Sequence, residues 1–175
     1  MANVKRLGGF IPLEQTDMRL GMAMVDGSAG QICKGDLIVL ENDGYCTRAT
    51  AGSNAAVIGV ASHFEDENGY PLLYMPASTT AGRKVYYYPA LLQEFRIQCY
   101  TGTAFTQTMI NNCFDIQDAA GDTTTGMSKQ TLLISSAANQ CRVMGLFQKN
   151  DNALGDMAEV IVRIVEQAIT DTTSI

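Results

Sequence analysis

Apolar residues in this chain come in short bursts, most of them five to eight residues long, cut off from one another by glycine and polar turns. The clearest stretch is KGDLIVLENDGYCTRAT. Lys34-Gly35-Asp36 turns the chain in, LIVL supplies a buried strand, and Asn42-Asp43-Gly44 turns it back into a second strand over Tyr45–Ala49. Asp-Gly tolerates the positive φ that tight hairpin turns require. The run AAVIGVAS predicts a further strand, and RKVYYYP another, closed by Pro89, which has no N–H to give a ladder. In EFRIQCY, Phe95, Ile97 and Cys99 alternate with Arg96, Gln98 and Tyr100, the period of a strand with one buried face. TQTMINNCF predicts a helix of about two turns, DIQDAAGDTTTGMSKQ a polar surface loop, and TLLIS and CRVMGLFQ two more strands.

The segment DMAEVIVRIVEQ is the ambiguous one. Asp156 with Glu159 three places on has the spacing of a capped helix start, and Glu159 with Arg163 that of a helical ion pair. Against this, five of the six residues from Val160 to Val165 are Val or Ile, whose branched β-carbons crowd a helical turn and suit a pleat. On a helix they would surround the axis rather than form one stripe. The segment is therefore expected to be a strand pairing with Cys141–Gln148, buried on both faces, with Arg163 escaping at an edge.

These elements predict an all-β, mainly antiparallel fold, barrel- or sandwich-like, with one or two short helices and an extended N-terminal arm. The expected organisation is an arm over 1–20, a small barrel-like unit over 21–78, a β-rich body over 83–167 packed against it, and a polar tail over 168–175. The arm carries Phe10, Ile11, Leu13, Met18 and Leu20, too many apolar groups for a solvated tail. Gly8-Gly9 and Pro12 keep most of it from being a regular helix. Such a segment either lies across a partner or folds back to complete its own barrel. Lys5-Arg6 is an adjacent basic pair that would meet a partner's carboxylates. Lys5, Arg6, Phe10, Ile11 and Leu13 are candidate interface residues. Tyr86 and Tyr88 join them as a possible platform, set against the plainer expectation of a strand with Tyr87 facing the other way.

Composition narrows the choices. The 175 residues are 46% apolar and 17% charged, which excludes a disordered chain. No apolar run approaches the roughly 20 residues that cross a bilayer. The N-terminal residues lack the continuous apolar core of a secretion signal, so synthesis in a cytoplasm without cleavage is expected. A net charge of −6 with no basic cluster argues against nucleic-acid binding.

Candidate chemistry is sparse. The five cysteines are dispersed, with no close pair for zinc or redox exchange, and are expected to behave as small buried hydrophobes. His63, beside Glu65, Asp66 and Glu67, lacks a recognisable nucleophile motif and is expected to end a strand rather than act as a base. The carboxylates from Asn150 to Asp156 alternate only partly and lack the closing Glu of a calcium loop. The glycines in GGF, GSAG and TAG match neither nucleotide-loop pattern. No catalytic residue, metal or cofactor is expected.

In their order, several of these pieces resemble a known family. KGDLIVL, the turn, and AAVIGVAS are similar to the opening of tailed-bacteriophage capsid auxiliary proteins, also called decoration or cement proteins. KVYYYP, EFRIQCY, the TTGMS turn and the ending CRVMGLFQKNDNALGDMAEVIVRI resemble the family's later strands and close, so the likeness spans roughly residues 33–166. The resemblance implies a non-enzymatic virion protein on the outer face of the capsid, bound to the major capsid protein and stabilising junctions between coat subunits. It also implies a homo-oligomer, a trimer in preference to a dimer, since a symmetric cap touches several coat subunits at once. The competing expectations are a β-barrel ligand- or carbohydrate-binding module, which would carry a deep aromatic pocket, and after it a hydrolase.

Overall fold

A strand apolar at successive positions has to be covered on both faces. Leu37-Ile38-Val39 is such a strand. A computed structural model describes residues 3–6, 8–13, 19–52, 56–77, 80–91, 93–135 and 140–166. In it Leu37 and Val39 point into one hydrophobic cluster and Ile38 into another. The strands of the first half are β1 (Ile11–Pro12), β2 (Gly21–Met24), β3 (Leu37–Leu40), β4 (Cys46–Arg48), β5 (Val57–Glu65) and β6 (Pro71–Leu72). Those of the second are β7 (Lys84–Pro89), β8 (Glu94–Gln98), β9 (Cys113–Gln117), β10 (Thr131–Leu133), β11 (Cys141–Leu146) and β12 (Glu159–Ile164).

They form two antiparallel sheets packed together as a sandwich. The first sheet runs β1-β8-β12-β11-β9-β10, the second β2-β7-β5-β3-β4 with β6 added on β5. The core between them takes Phe95, Ile97, Val160, Val162 and Ile164 from the first sheet and Leu37, Val39, Val57 and Val60 from the second. The opposite face of the second sheet holds a further core of Ile38, Cys46, Ala61, Phe64 and Val85, roofed by Val25, Ala29, Ile32 and Met75. That sheet curls until Val25 bridges Cys46, with the Asp26 N–H on the Cys46 carbonyl at 3.1 Å. No helix among the described residues is long and apolar enough to cross a membrane.

The ambiguous segment is a strand, β12, and it pairs with β11 as expected. Two details differ. It is an interior strand, between β8 and β11, so Arg163 reaches solvent through the outer face of the sheet and not at an edge. Its burial also alternates: Val160, Val162 and Ile164 face the core, while Ile161 is half-buried and Arg163 exposed. The expected two-turn helix is a single 3-10 turn, Gln107–Met109. Thr106 precedes it without capping it, its hydroxyl being engaged by that of Thr108 at 3.0 Å. Ile110 is already extended and Asn111 sits at φ 70, so β9 starts at Cys113 and takes in the first residues of the expected loop. Lys84–Pro89, expected with the second body, pairs instead with β5 and β2 in the second sheet. Residues 14–18 of the arm and the polar tail 168–175 lie outside the described residues.

The described part of the arm closes the chain's own sandwich. β1 pairs with β8, and the Leu13 N–H donates to the Glu94 carbonyl at 3.1 Å. Phe10 is 2% exposed and meets Phe95 edge to face, with ring centres 6.3 Å apart. Burying a ring of that size stabilises a fold by about 2–3 kcal/mol. The arm approaches the turn before β3 so closely that only glycine fits: a Cβ on Gly9 (φ +58) would lie 2.4 Å from the Gly35 carbonyl oxygen, and one on Gly35 (φ +90) 2.0 Å from that of Gly8.

Candidate functional site

Where the arm, the turn before β3 and the segment leading into β10 meet, the fold buries a carboxylate. Asp36 has no exposed surface. It accepts the Cys33 N–H at 2.7 Å and the Ser128 hydroxyl, whose backbone carbonyl takes the Gly8 N–H at 3.0 Å. Burial pushes the Asp36 carboxyl up to about 6, against the opposing pull of those two donors. Gln130, also buried, accepts the Leu37 N–H at 2.8 Å and donates to the Ala49 carbonyl at 3.1 Å. This is a structural joint: each polar group is matched inward.

A second polar centre lies on the outer face of the first sheet. Glu159, its side chain 9% exposed, is gripped by Arg6 at 2.8 Å and Arg96 at 3.4 Å. Gln98 accepts the Arg6 N–H at 2.8 Å and donates to the carbonyls of Val4 and Met157, both at 2.9 Å. Arg6 also pairs with Asp151. The polar groups of the 150–156 loop are engaged by the protein: Asn152 donates to the Phe147 and Glu159 carbonyls and accepts the Glu159 N–H, and the Asp156 carboxylate accepts the Thr101 hydroxyl at 3.0 Å and the Gly102 N–H at 2.9 Å. No group of three or more His, Cys, Asp or Glu side chains placed to hold a metal ion occurs among the described residues.

The residues expected at an interface therefore separate. Phe10 belongs to the core, which removes it from any contact surface. Arg6 is committed to Glu159 and Asp151 within the chain, while Lys5 is exposed. Ile11 and Leu13 are half-buried. Ile11 and Tyr88 share a cleft of about 200 Å³ with Phe10, Pro12 and Met127, smaller than the roughly 300 Å³ at which ligand pockets begin. Tyr88 packs against the core between the sheets and Tyr87 against the second core, so the tyrosines do alternate. Tyr86 lies flat under His63, ring centres 4.2 Å apart and planes 8° apart, and its hydroxyl donates to Glu65 at 3.1 Å.

Cys33, Cys46, Cys99 and Cys141 are buried and free, and Cys113 is half-buried. Burial pushes Cys46 and Cys99 up to about 12, and raises Cys33 and Cys141 as well. Those four remain thiols at neutral pH and are poor nucleophiles.

One surface feature escaped the sequence reading. On the outer face of the first sheet, Arg142 of β11 stands directly opposite Arg163 of β12. A cleft of about 360 Å³ runs past both, flanked by Leu91, Met144 and Val165. The alternation in Cys-Arg-Val-Met would have turned Arg142 and Met144 outward, but the opposed arginines depend on the hairpin register, which a loop as long as 147–158 does not fix. Comparisons of the chain with protein-family models, with curated proteins and with solved structures find no match.

Proposed function

We propose that this chain is a structural protein of a phage particle. It binds the outer surface of the capsid as a homo-oligomer and stabilises junctions between coat subunits. The observation that carries this reading is the order of its strand and turn motifs over residues 33–166, which resembles that of the decoration proteins. An N-terminal arm stitched into the molecule by Phe10, Arg6 and β1 supports it, because a clamp under outward pressure needs ends that do not peel. The test is imaging of the native particle together with its heat stability. The chain should sit on the outer face at lattice junctions, and particles stripped of it should release DNA at lower temperature. Purified particles that lack the chain, or stripped particles of unchanged stability, would refute the reading.

A second reading, a carbohydrate-binding module, draws on the exposed His63 ring stacked on Tyr86, since sugars pack on aromatic faces. Titration with simple sugars, followed through the His63 ring resonances, decides it: unmoved resonances dismiss the module.

A further inference from the structure

Arginines placed directly opposite one another on neighbouring strands repel. Arg163 is relieved by Glu94, 2.9 Å away, but the Arg142 side chain has no ion pair or hydrogen bond among the described residues. Beside these cations lie apolar side chains that the fold leaves open: Leu91, Met144 and Val165 are 42%, 39% and 41% exposed. Apolar walls around an unneutralised cation form a surface suited to a carboxylate flanked by apolar groups.

The chain itself carries a matching feature. The tip of the β3–β4 hairpin, Leu40 to Tyr45, is exposed along its whole length. It offers Glu41 and Asp43 between two open apolar side chains, Leu40 and Tyr45. The Asp43-Gly44 turn holds the tip in shape: the Glu41 N–H donates to the Tyr45 carbonyl at 2.7 Å, and the Tyr45 N–H to the Asp43 carboxylate at 3.0 Å. A preformed tip of this kind loses little freedom on docking. The tip and the cleft also lie toward the same end of the sandwich. Leu40 N–H bonds to the Ala56 carbonyl, and the next residue, Val57, bonds to the carbonyl of Glu166 beside Val165.

We propose that a second copy of this chain docks in the cleft over β11 and β12, presenting its β3–β4 tip so that Glu41 and Asp43 face Arg142 and Arg163. In a molecule of net charge −6, two copies repel at long range, and this local match of opposite charge sets where they can touch. The contact joins two unlike patches, so it closes as a reciprocal pair or a ring, or runs on as an open filament where the rotation between copies does not close. It rests on the self-association proposed above but not on the capsid reading.

The test is sedimentation velocity of the full chain over a concentration series at low and moderate salt. Wild type should associate, and salt should weaken the association. Arg142→Glu and Glu41→Arg should each weaken it by about tenfold or more, and the two combined should recover most of the loss. Both positions are exposed, so the variants should melt as wild type does. Arg142→Gln, which removes charge without reversing it, gives an intermediate loss and serves if the reversal disturbs folding. If wild type associates but Arg142→Glu and Arg142→Gln associate equally well, the surface is wrong and self-association stands. If wild type remains monomeric throughout, the surface and the oligomer both fall, while attachment to the capsid is judged separately by the particle images.

Discussion

A carboxyl group with no exposed surface is costly to ionise, and Asp36 keeps its site by accepting from Cys33 and Ser128. Because its folded value is raised from 3.8 to about 6, its proton stabilises the fold fully below the unfolded value, and that contribution is lost as pH rises through about 6. The span of roughly two units corresponds to about 3 kcal/mol as an upper bound. Asp122, held low by the N–H groups of Thr124 and Thr125, acts in the opposite sense, losing stability as pH falls, but does so with or without Asp36. The difference in urea stability between wild type and Asp36→Asn should therefore shift against wild type between about pH 4 and 6 and be level above; a difference that is flat from pH 4 to 7 would dismiss the assignment. The cysteines give a second residue-level test. An aromatic disulfide reagent should modify half-buried Cys113 first, and reach Cys33, Cys46, Cys99 and Cys141 only on unfolding. Rapid native-state labelling of Cys46 or Cys141 would contradict the packing.

Among the elements, the arm matters most, because both of its possible fates were visible beforehand and only the fold separates them. Its apolar residues marked it as something more than a solvated tail, but Gly8-Gly9 says nothing about direction until Gly35 is known to lie against it. Phe10→Ala should cost about 3–5 kcal/mol, the range for emptying a buried aromatic site, and removing residues 1–12 should cost more, since it also strips Arg6 from Glu159 and β1 from β8. A truncated chain with the wild-type urea midpoint would show that the arm is dispensable. The strands were legible wherever burial wrote itself as a pattern. Leu-Ile-Val at 37–39 announces two covered faces, and Val/Ile density marked β12 despite the helical spacing of Glu159 and Arg163. That spacing has no helical meaning in the fold, because Glu159 and Arg163 answer to different partners, Arg6 and Arg96 for one and Glu94 for the other. Pairings were less legible than strands. Nothing within KVYYYP names β5 and β2 as neighbours, and the Asp36–Ser128 joint links positions that only the folded chain brings together.

The two halves of the molecule share one interior, and this decides how it unfolds. Leu37, Val39, Val57 and Val60 from before residue 78 pack against Phe95, Ile97, Val160 and Val162 from after it. Backbone and side-chain bonds cross the same divide. The Val57 N–H donates to the Glu166 carbonyl at 3.0 Å, buried Gln130 takes the Leu37 N–H at 2.8 Å, and Gln140 donates to the Thr50 carbonyl at 2.9 Å. Each half alone would expose an apolar sheet face and leave buried amide groups without partners, at about 1–3 kcal/mol for every group so stranded. The first half would also lose β7, which lies between β2 and β5 and holds its curled sheet together. The chain should therefore unfold in one cooperative step, with fluorescence and far-ultraviolet dichroism giving coincident transitions. Expressed separately, residues 19–82 and 83–166 should each lack the dispersed amide spectrum of a folded domain, and mixing the two should restore it. A half that folds alone, or two resolved transitions in the intact chain, would mean that the shared core contributes less than the strands on either side of it.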